Sequence, residues 1–228
     1  MKKMKIIGIN GSPRKKASTT LKLMQAVLDG AKEEGAKTEV IDICKLNINF
    51  CTGCLSCFET GECVYDDDVA SLLEKMKMAD GIVLGSPVYI DSVTAQLKRW
   101  IDRSANSYHC MTLLGLGKYG CAVSTSGGFK EQEVVEYLNH VITDFGVVSI
   151  GGVGVAMAKE PEAFAGAMSK AHDLGRDLVL AIKKEKRFPE GEARVQERKN
   201  LFENLVNSNK DIWQFQYEFW KERGETKP

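Results

Sequence analysis

Short apolar runs alternate along the chain with stretches in which apolar residues return at helical spacing. Lys5-Ile6-Ile7-Gly8-Ile9 predicts a strand, a Gly/Ser/Pro loop occupies 10–18, and Leu21, Met24, Val27 and Leu28 then mark one face of a helix. The same alternation predicts strands at 39–43, 82–84, 120–124 and 147–157, and helices at 66–78, 93–105, 131–145 and 162–183. Asp66, Asp67 and Asp68 open the second helix with negative charge at its positive end. Strands that are apolar on both faces, each followed by a helix, imply a doubly wound α/β fold with five parallel strands covered on both sides. Such sheets bind ligands beyond the carboxyl ends of their strands, where the strand order reverses. That singles out the loops at 10–18, 85–92 and 124–130.

After the charged stretch 183–187, Pro189 and Gly191 punctuate the pattern and divide the chain into a domain at 1–188 and a helical extension at 189–228. In the extension Leu205, Ile212 and Phe219 recur every seven residues, as do Val206, Trp213 and Trp220. This predicts an apolar stripe on one helix, packed either on its own domain or on another protomer. Two tryptophans on that stripe suit an interface, so a homodimer or homotetramer is expected.

Composition narrows the class. Hydrophobic residues make up 43% and charged residues 27%, which excludes disorder and low-complexity architecture. Lys+Arg and Asp+Glu both number 31, so the broad positive field of a nucleic-acid binder is missing. No apolar run approaches the roughly 20 residues that span a bilayer. The apolar run near the N-terminus is too short for a signal peptide, and a cytoplasmic location without membrane contact is expected. Disulfides are uncommon there, so the seven cysteines need another explanation.

The loop Asn10-Gly11-Ser12-Pro13-Arg14-Lys15-Lys16-Ala17-Ser18-Thr19-Thr20 offers helix-start amides, four hydroxyls and three cations. A helix cap needs one hydroxyl; this set suits a phosphate monoester. It is neither a nucleotide-hydrolysing P-loop, lacking Gly-Lys-Ser/Thr, nor a dinucleotide fingerprint, having Gly11 alone. Gly115, Gly117 and Gly120 do spell G-x-G-x-x-G, but ahead of a strand, and are a chance match. Pro87 forces an extended exit from the third strand, bringing Tyr89 to the sheet's edge where a planar ring could meet it. Gly127 and Gly128 permit close backbone approach.

Cys51, Cys54, Cys57 and Cys63 form C-x2-C-x2-C-x5-C within thirteen residues. Three sulfurs at this spacing wrap one side of a compact cluster, and the fourth, returned by a turn containing Gly61, would complete the ligation of [4Fe-4S]. Structural zinc more often uses two separated knuckles; zinc and free or redox-active thiols stay open beside the cluster. Cys44, Cys110 and Cys121 stand apart, Cys121 as a small core residue, and Trp100 shares a packing face with Val93, Leu97 and Ile101. His109, His140 and His172 have no acid or nucleophile at motif spacing, and no catalytic side chain is assigned. This fits a protein whose cofactor carries the chemistry.

Gly11-Ser12-Pro13-Arg14 with Ser18-Thr19-Thr20, Ser86-Pro87-Val88-Tyr89 leading into Ser92-Val93-Thr94-Ala95-Gln96-Leu97-Lys98, and Ser124-Thr125-Ser126-Gly127-Gly128 resemble the flavodoxin-like NAD(P)H-dependent FMN reductase superfamily. With the cysteines, the chain resembles the iron-sulfur flavoprotein family within it, over about residues 4 to 183. The resemblance implies strand order 2-1-3-4-5 and an FMN whose phosphate is held by Ser12, Arg14, Ser18, Thr19 and Thr20. It further implies an isoalloxazine lined by Pro87, Val88, Tyr89, Thr125, Gly127 and Gly128. Thr19 stands where Asn is frequent, and Ile90-Asp91 replace the small or aromatic residues often found after the tyrosine. The implied activity is an FMN-dependent oxidoreductase drawing electrons from a ferredoxin-like donor or NAD(P)H and reducing a small acceptor, a quinone or an oxygen species. A cluster-free NAD(P)H-dependent reductase and a flavodoxin-like carrier without its own substrate are the alternatives. Family members are generally oligomeric, with flavin sites near protomer boundaries.

Overall fold

A computed structural model describes residues 3–113, 118–158 and 162–223. Five strands, β1 (Lys5–Asn10), β2 (Lys37–Asp42), β3 (Gly81–Pro87), β4 (Tyr119–Ser126) and β5 (Val148–Ala156), pair in parallel in the order β2-β1-β3-β4-β5. This is the expected doubly wound, flavodoxin-like sheet. Because β1 leads to β2 on one side and adjoins β3 on the other, the strand order reverses between β1 and β3. Gly115 and Gly117 of the chance glycine motif lie outside the described residues.

Two apolar layers enclose the sheet. On one face α1 (Thr19–Glu33) and α7 (Ala163–Lys183) bury Leu23, Met24, Val27, Leu178 and Val179 against Ile6, Val83, Cys121 and Val123. On the other, α3 (Asp68–Lys77), α4 (Ala95–Arg103) and α6 (Glu131–Asp144) bury Leu72, Met76, Leu97, Trp100, Leu138 and Ile142 against Ile7, Ile9, Ile82 and Leu84. Trp100 is fully buried and stacks on Phe145 at 5.8 Å, the core role expected of it.

α1 and α7 approach so closely that their backbones touch through two glycines. A Cβ on Gly30 would lie 2.0 Å from the His172 carbonyl oxygen, and one on Gly175 1.8 Å from that of Val27. Backbone cannot yield as a side chain can, so Gly175→Ala should cost about 3 kcal/mol, the upper end of ordinary overpacking. Urea unfolding measures it; an unchanged midpoint would mean the helices are not packed this tightly.

Several boundaries differ from the expected ones, each for a local reason. α3 starts at Asp68 instead of 66 because the Asp67 carboxylate caps it, accepting from the Val69 amide at 3.2 Å. α4 starts at Ala95 instead of 93 because the Thr94 hydroxyl accepts from the Leu97 amide at 3.3 Å. It stops at Arg103, where Ser104 bonds back to the Trp100 carbonyl, and a short helix α5 (Ala105–His109) follows. β3 runs on to Pro87, opposite Thr125. The Val88 amide points to β4, so the missing Pro87 donor faces the side where β1 has already ended opposite Gly85, and no ladder bond is lost.

The extension is not one striped helix. α8 (Pro189–Ser208) ends before Asn209, whose side-chain amide donates to the Leu205 carbonyl while its own carbonyl accepts from the Ile212 and Trp213 amides. The run Asn207-Ser208-Asn209-Lys210-Asp211 has weak helix propensity, and α9 (Gln214–Glu222) starts anew beyond it. Ile212 falls in the turn, 60% exposed, while Val206 and Trp220 are fully buried in a cluster with Met111, Val195 and Phe202. The stripe is thus split, and its Val206 register packs within the chain.

Candidate functional site

Hydrogen bonds tie together the three loops at the strands' carboxyl ends. The Gly11 amide donates to the Gly85 carbonyl at 2.7 Å, and the Thr94 hydroxyl to the Gly11 carbonyl at 2.7 Å. A Cβ on Gly11 would sit 2.9 Å from Leu97 Cβ and 3.0 Å from that same Gly85 oxygen, so the crossing needs glycine. The hydroxyls of Thr19 and Thr20 lie 3.3 and 2.6 Å from Thr125 Oγ1, and the Val88 amide donates to the Thr125 carbonyl at 2.8 Å. Residues more than a hundred positions apart in sequence thus share one edge of the sheet.

Within the first loop Ser18 caps α1, accepting from the Leu21 amide at 2.9 Å, while the other first-turn amides have no intrahelical acceptor. Asn10 Oδ1 accepts from the Ser12 amide at 3.2 Å, and Ser12 Oγ from the Arg14 amide at 3.4 Å, shaping the turn. Ser12, Ser18 and Thr20 are buried. Arg14, Lys15 and Lys16 are exposed and form no ion pair among the described residues. Buried hydroxyls below and unpaired cations above are a cradle for an anion.

Beside it, Pro87 is buried, Val88 half-buried and Tyr89 42% exposed. Tyr89 and Ser92 exchange backbone hydrogen bonds of 2.8 and 3.2 Å, closing a hairpin whose tip, Ile90-Asp91, has φ of 44° and 62°. That conformation is uncommon for any residue but glycine and is an outlier for β-branched Ile90. A Cβ added at Gly127 or Gly128 would meet nothing within 4 Å, so open space lies over that loop. Thr125, expected on the ring, is buried and spends its hydroxyl on Thr19 and Thr20.

The cysteine loop carries a one-turn helix, α2 (Ser56–Thr60), entered through Leu55 at φ 63° and left through Gly61 at φ 84°. All four cysteines of the motif line one cavity of about 150 Å³, with Phe58, Tyr65 and Arg103. Cys51, Cys54 and Cys63 are exposed and Cys57 half-buried. Burial first, and then the three neighbouring thiols, push Cys57 up to about 11. Among the described residues no three His, Cys, Asp or Glu side chains converge on the position of a single metal ion.

Arg103 is the residue that sequence reasoning missed. Its Nη2 donates to Cys63 Sγ at 3.1 Å, and its guanidinium pairs with Asp67 at 2.6 Å, both side chains being 1% exposed. The one visible signal was a charge three positions after Trp100, on the packed face of an amphipathic helix.

The rear of the loop is closed by the C-terminal helices. Phe58 packs on His109 and Trp213, with ring centroids at 4.7 and 4.9 Å. Trp220 Nε1 donates to the His109 carbonyl at 2.9 Å, and His109 Nδ1 lies 3.2 Å from Gln216 Oε1. A Cβ on Gly61 would stand 2.6 Å from the Phe215 ring. Burial lowers the basicity of His109, which acts here as a packing residue.

A five-stranded parallel sheet, with buried hydroxyls and exposed cations on the loop at the strand reversal and open space over Gly127 and Gly128 beside it, defines the frame of a flavodoxin-like reductase. The NADPH-dependent FMN reductase family profile matches residues 4–162. An iron-sulfur flavoprotein from Archaeoglobus fulgidus is 35% identical over 225 residues, covering 97% of this chain and 99% of that one. Another, from Methanocaldococcus jannaschii, is 52% identical over 101 residues, 44% of this chain and 52% of that one. Among solved structures, a flavone reductase superposes with TM-score 0.62 at 24% identity, covering 79% of this chain and 63% of that one, a likeness of fold. The chain belongs to the iron-sulfur flavoprotein family of NADPH-dependent FMN reductases and is an FMN-dependent oxidoreductase. No helix among the described residues is long and apolar enough to cross a membrane.

Proposed function

We propose that this oxidoreductase couples FMN to a [4Fe-4S] centre on Cys51, Cys54, Cys57 and Cys63, taking electrons from a ferredoxin-like donor or NAD(P)H and delivering them to a small acceptor such as a quinone or an oxygen species. The observation that carries the reading is the single cavity lined by all four cysteines of C-x2-C-x2-C-x5-C. Bound together, the two groups would supply interchange between single electrons and electron pairs.

The chain's own part is to bind and orient. Ser12, Ser18, Thr19 and Thr20, with the helix-start amides and Arg14, would neutralise and hold the FMN phosphate. Tyr89 beside Pro87 and Val88 would cover one side of the ring, with Gly127 and Gly128 leaving it room. Thr125 would hold the two walls together through Thr19 and Thr20. Assembly as a homodimer or homotetramer in the cytoplasm completes the reading. Light scattering measures the assembly.

Anaerobic purification with an absorption spectrum and iron and sulfide analysis tests the centre. Cys57→Ala should lose the broad visible absorption of the cluster and keep FMN, since the phosphate loop is a separate element. Zinc, or no stoichiometric iron and sulfide, in the wild type would replace this reading by a cluster-free NAD(P)H-dependent FMN or quinone reductase. Turnover with NAD(P)H or a reduced ferredoxin-type donor separates an enzyme from a flavodoxin-like carrier.

A further inference from the structure

Arg103 sits where a cation is costly to bury, and its hydrogens are nearly all committed. Asp67 takes one from each terminal nitrogen, at 2.6 Å from Nη1 and 3.2 Å from Nη2, and the Asn49 carbonyl takes the second from Nη1 at 2.9 Å. The remaining Nη2 hydrogen goes to Cys63 Sγ at 3.1 Å. Tyr65 covers the guanidinium, 4.8 Å from its ring centre. Held at both ends of its fork, the group cannot turn without breaking a bond, so one N–H is aimed at one sulfur. Among the described residues, Cys51 receives a long amide contact, 3.5 Å from Gly53. Cys63 is also the sulfur that reaches the cavity last, after α2 and the Gly61 turn.

Resting on the cluster reading, we propose that Arg103 is a positioning residue of the cysteine site, holding the Cys63 sulfur at the cavity wall and favouring the reduced state of the centre. Reduction by one electron from an external donor adds one negative charge and makes or breaks no bond. A fixed cation bonded to a ligand sulfur favours the more negative state and so raises the reduction potential. Ion pairing with Asp67 alone would be met by lysine, a point charge without a fork; serving Asp67, Asn49 and Cys63 together requires arginine.

The test is anaerobic redox titration, with iron, sulfide and FMN content, of the wild type, Arg103→Gln and Arg103→Lys. Arg103→Gln should keep FMN and become about tenfold harder to reduce, a fall of about 59 mV for a one-electron couple. Arg103→Lys should fall between the two. Loss of iron and sulfide from Arg103→Gln with FMN retained also supports the role, because Cys63 is then no longer held. Full iron, sulfide and FMN at the wild-type potential in that variant would overturn it. Should Arg103→Gln lose FMN and so fail to fold, Arg103→Lys decides, and a wild-type potential there overturns the proposal. A wild type without iron or sulfide would refute the cluster reading itself and the role of Arg103 with it.

Discussion

Ser18→Gly combined with Thr20→Val should weaken FMN binding by about 3–6 kcal/mol, because a hydrogen bond to a charged group is worth about 1.5–3 kcal/mol and two are removed. At about 1.4 kcal/mol per factor of ten, that is two to four orders of magnitude in the dissociation constant. Glycine is the right replacement at Ser18, which caps α1 through the Leu21 amide. Glycine at a cap costs only a few tenths of a kcal/mol, so loss of affinity is not confused with fraying of the helix. Valine keeps the shape of Thr20 but also removes its contact with Thr125. Thr125→Val, which breaks that contact and spares both phosphate-side hydroxyls, measures the contact alone. Titration of the apoprotein with FMN reads all three; wild-type affinity in the double variant would put the phosphate elsewhere.

The second large effect concerns the pair beneath the cysteine site. Asp67→Asn should lower folding stability by about 3–5 kcal/mol at neutral pH, since it leaves the buried Arg103 guanidinium without its countercharge. Burial works to raise the Asp67 carboxyl, but the Arg103 hydrogen bonds, the Asn49 and Val69 amides and the Asn49 side chain outweigh it and hold the group at about 2. An unfolded carboxyl titrates at about 3.9. The folded state therefore favours the ionised form, and its contribution, about 2.5 kcal/mol, is complete above pH ~5 and lost as pH falls toward 2. The stability gap between wild type and Asp67→Asn in urea should accordingly narrow between pH 7 and 3. A gap that does not change with pH would mean the carboxylate is not what the arginine answers to.

The sheet was legible because its cause is local. Ile6-Ile7 and Ile82-Val83-Leu84 are apolar on both faces, which only a covered parallel strand accommodates. The hydroxyls and cations of the first loop stood out because they are nearly consecutive, and the four thiols because their spacing is short. What escaped depends on partners distant in sequence. Arg103 reads as one more charge on a helix until Asn49, Cys63 and Asp67 are placed around it. The engagement of Thr20 by Thr125 spans 105 positions and leaves no trace in either segment. The break at 209–213 was visible as a run of weak helix formers, but the seven-residue recurrence across it was the stronger pattern.

The wall behind the cysteines has a further consequence, in the timing of synthesis. Phe58, in the middle of the cysteine loop, packs on Trp213, and Gly61 is covered by Phe215. At about 5–20 residues per second the ribosome adds the last of these roughly 8–30 seconds after the first. During that interval the four thiols are present on a loop whose Phe58 has His109 behind it but not yet Trp213. The cavity itself is lined from segments 51–65 and 102–105, and what α9 and Trp213 add is the layer of rings behind Phe58 and Gly61, so the loop gains its full backing only once that helix has docked. A chain cut before residue 213 would carry all four cysteines and every residue that lines their cavity, yet lack the rings that pack behind Phe58 and Gly61.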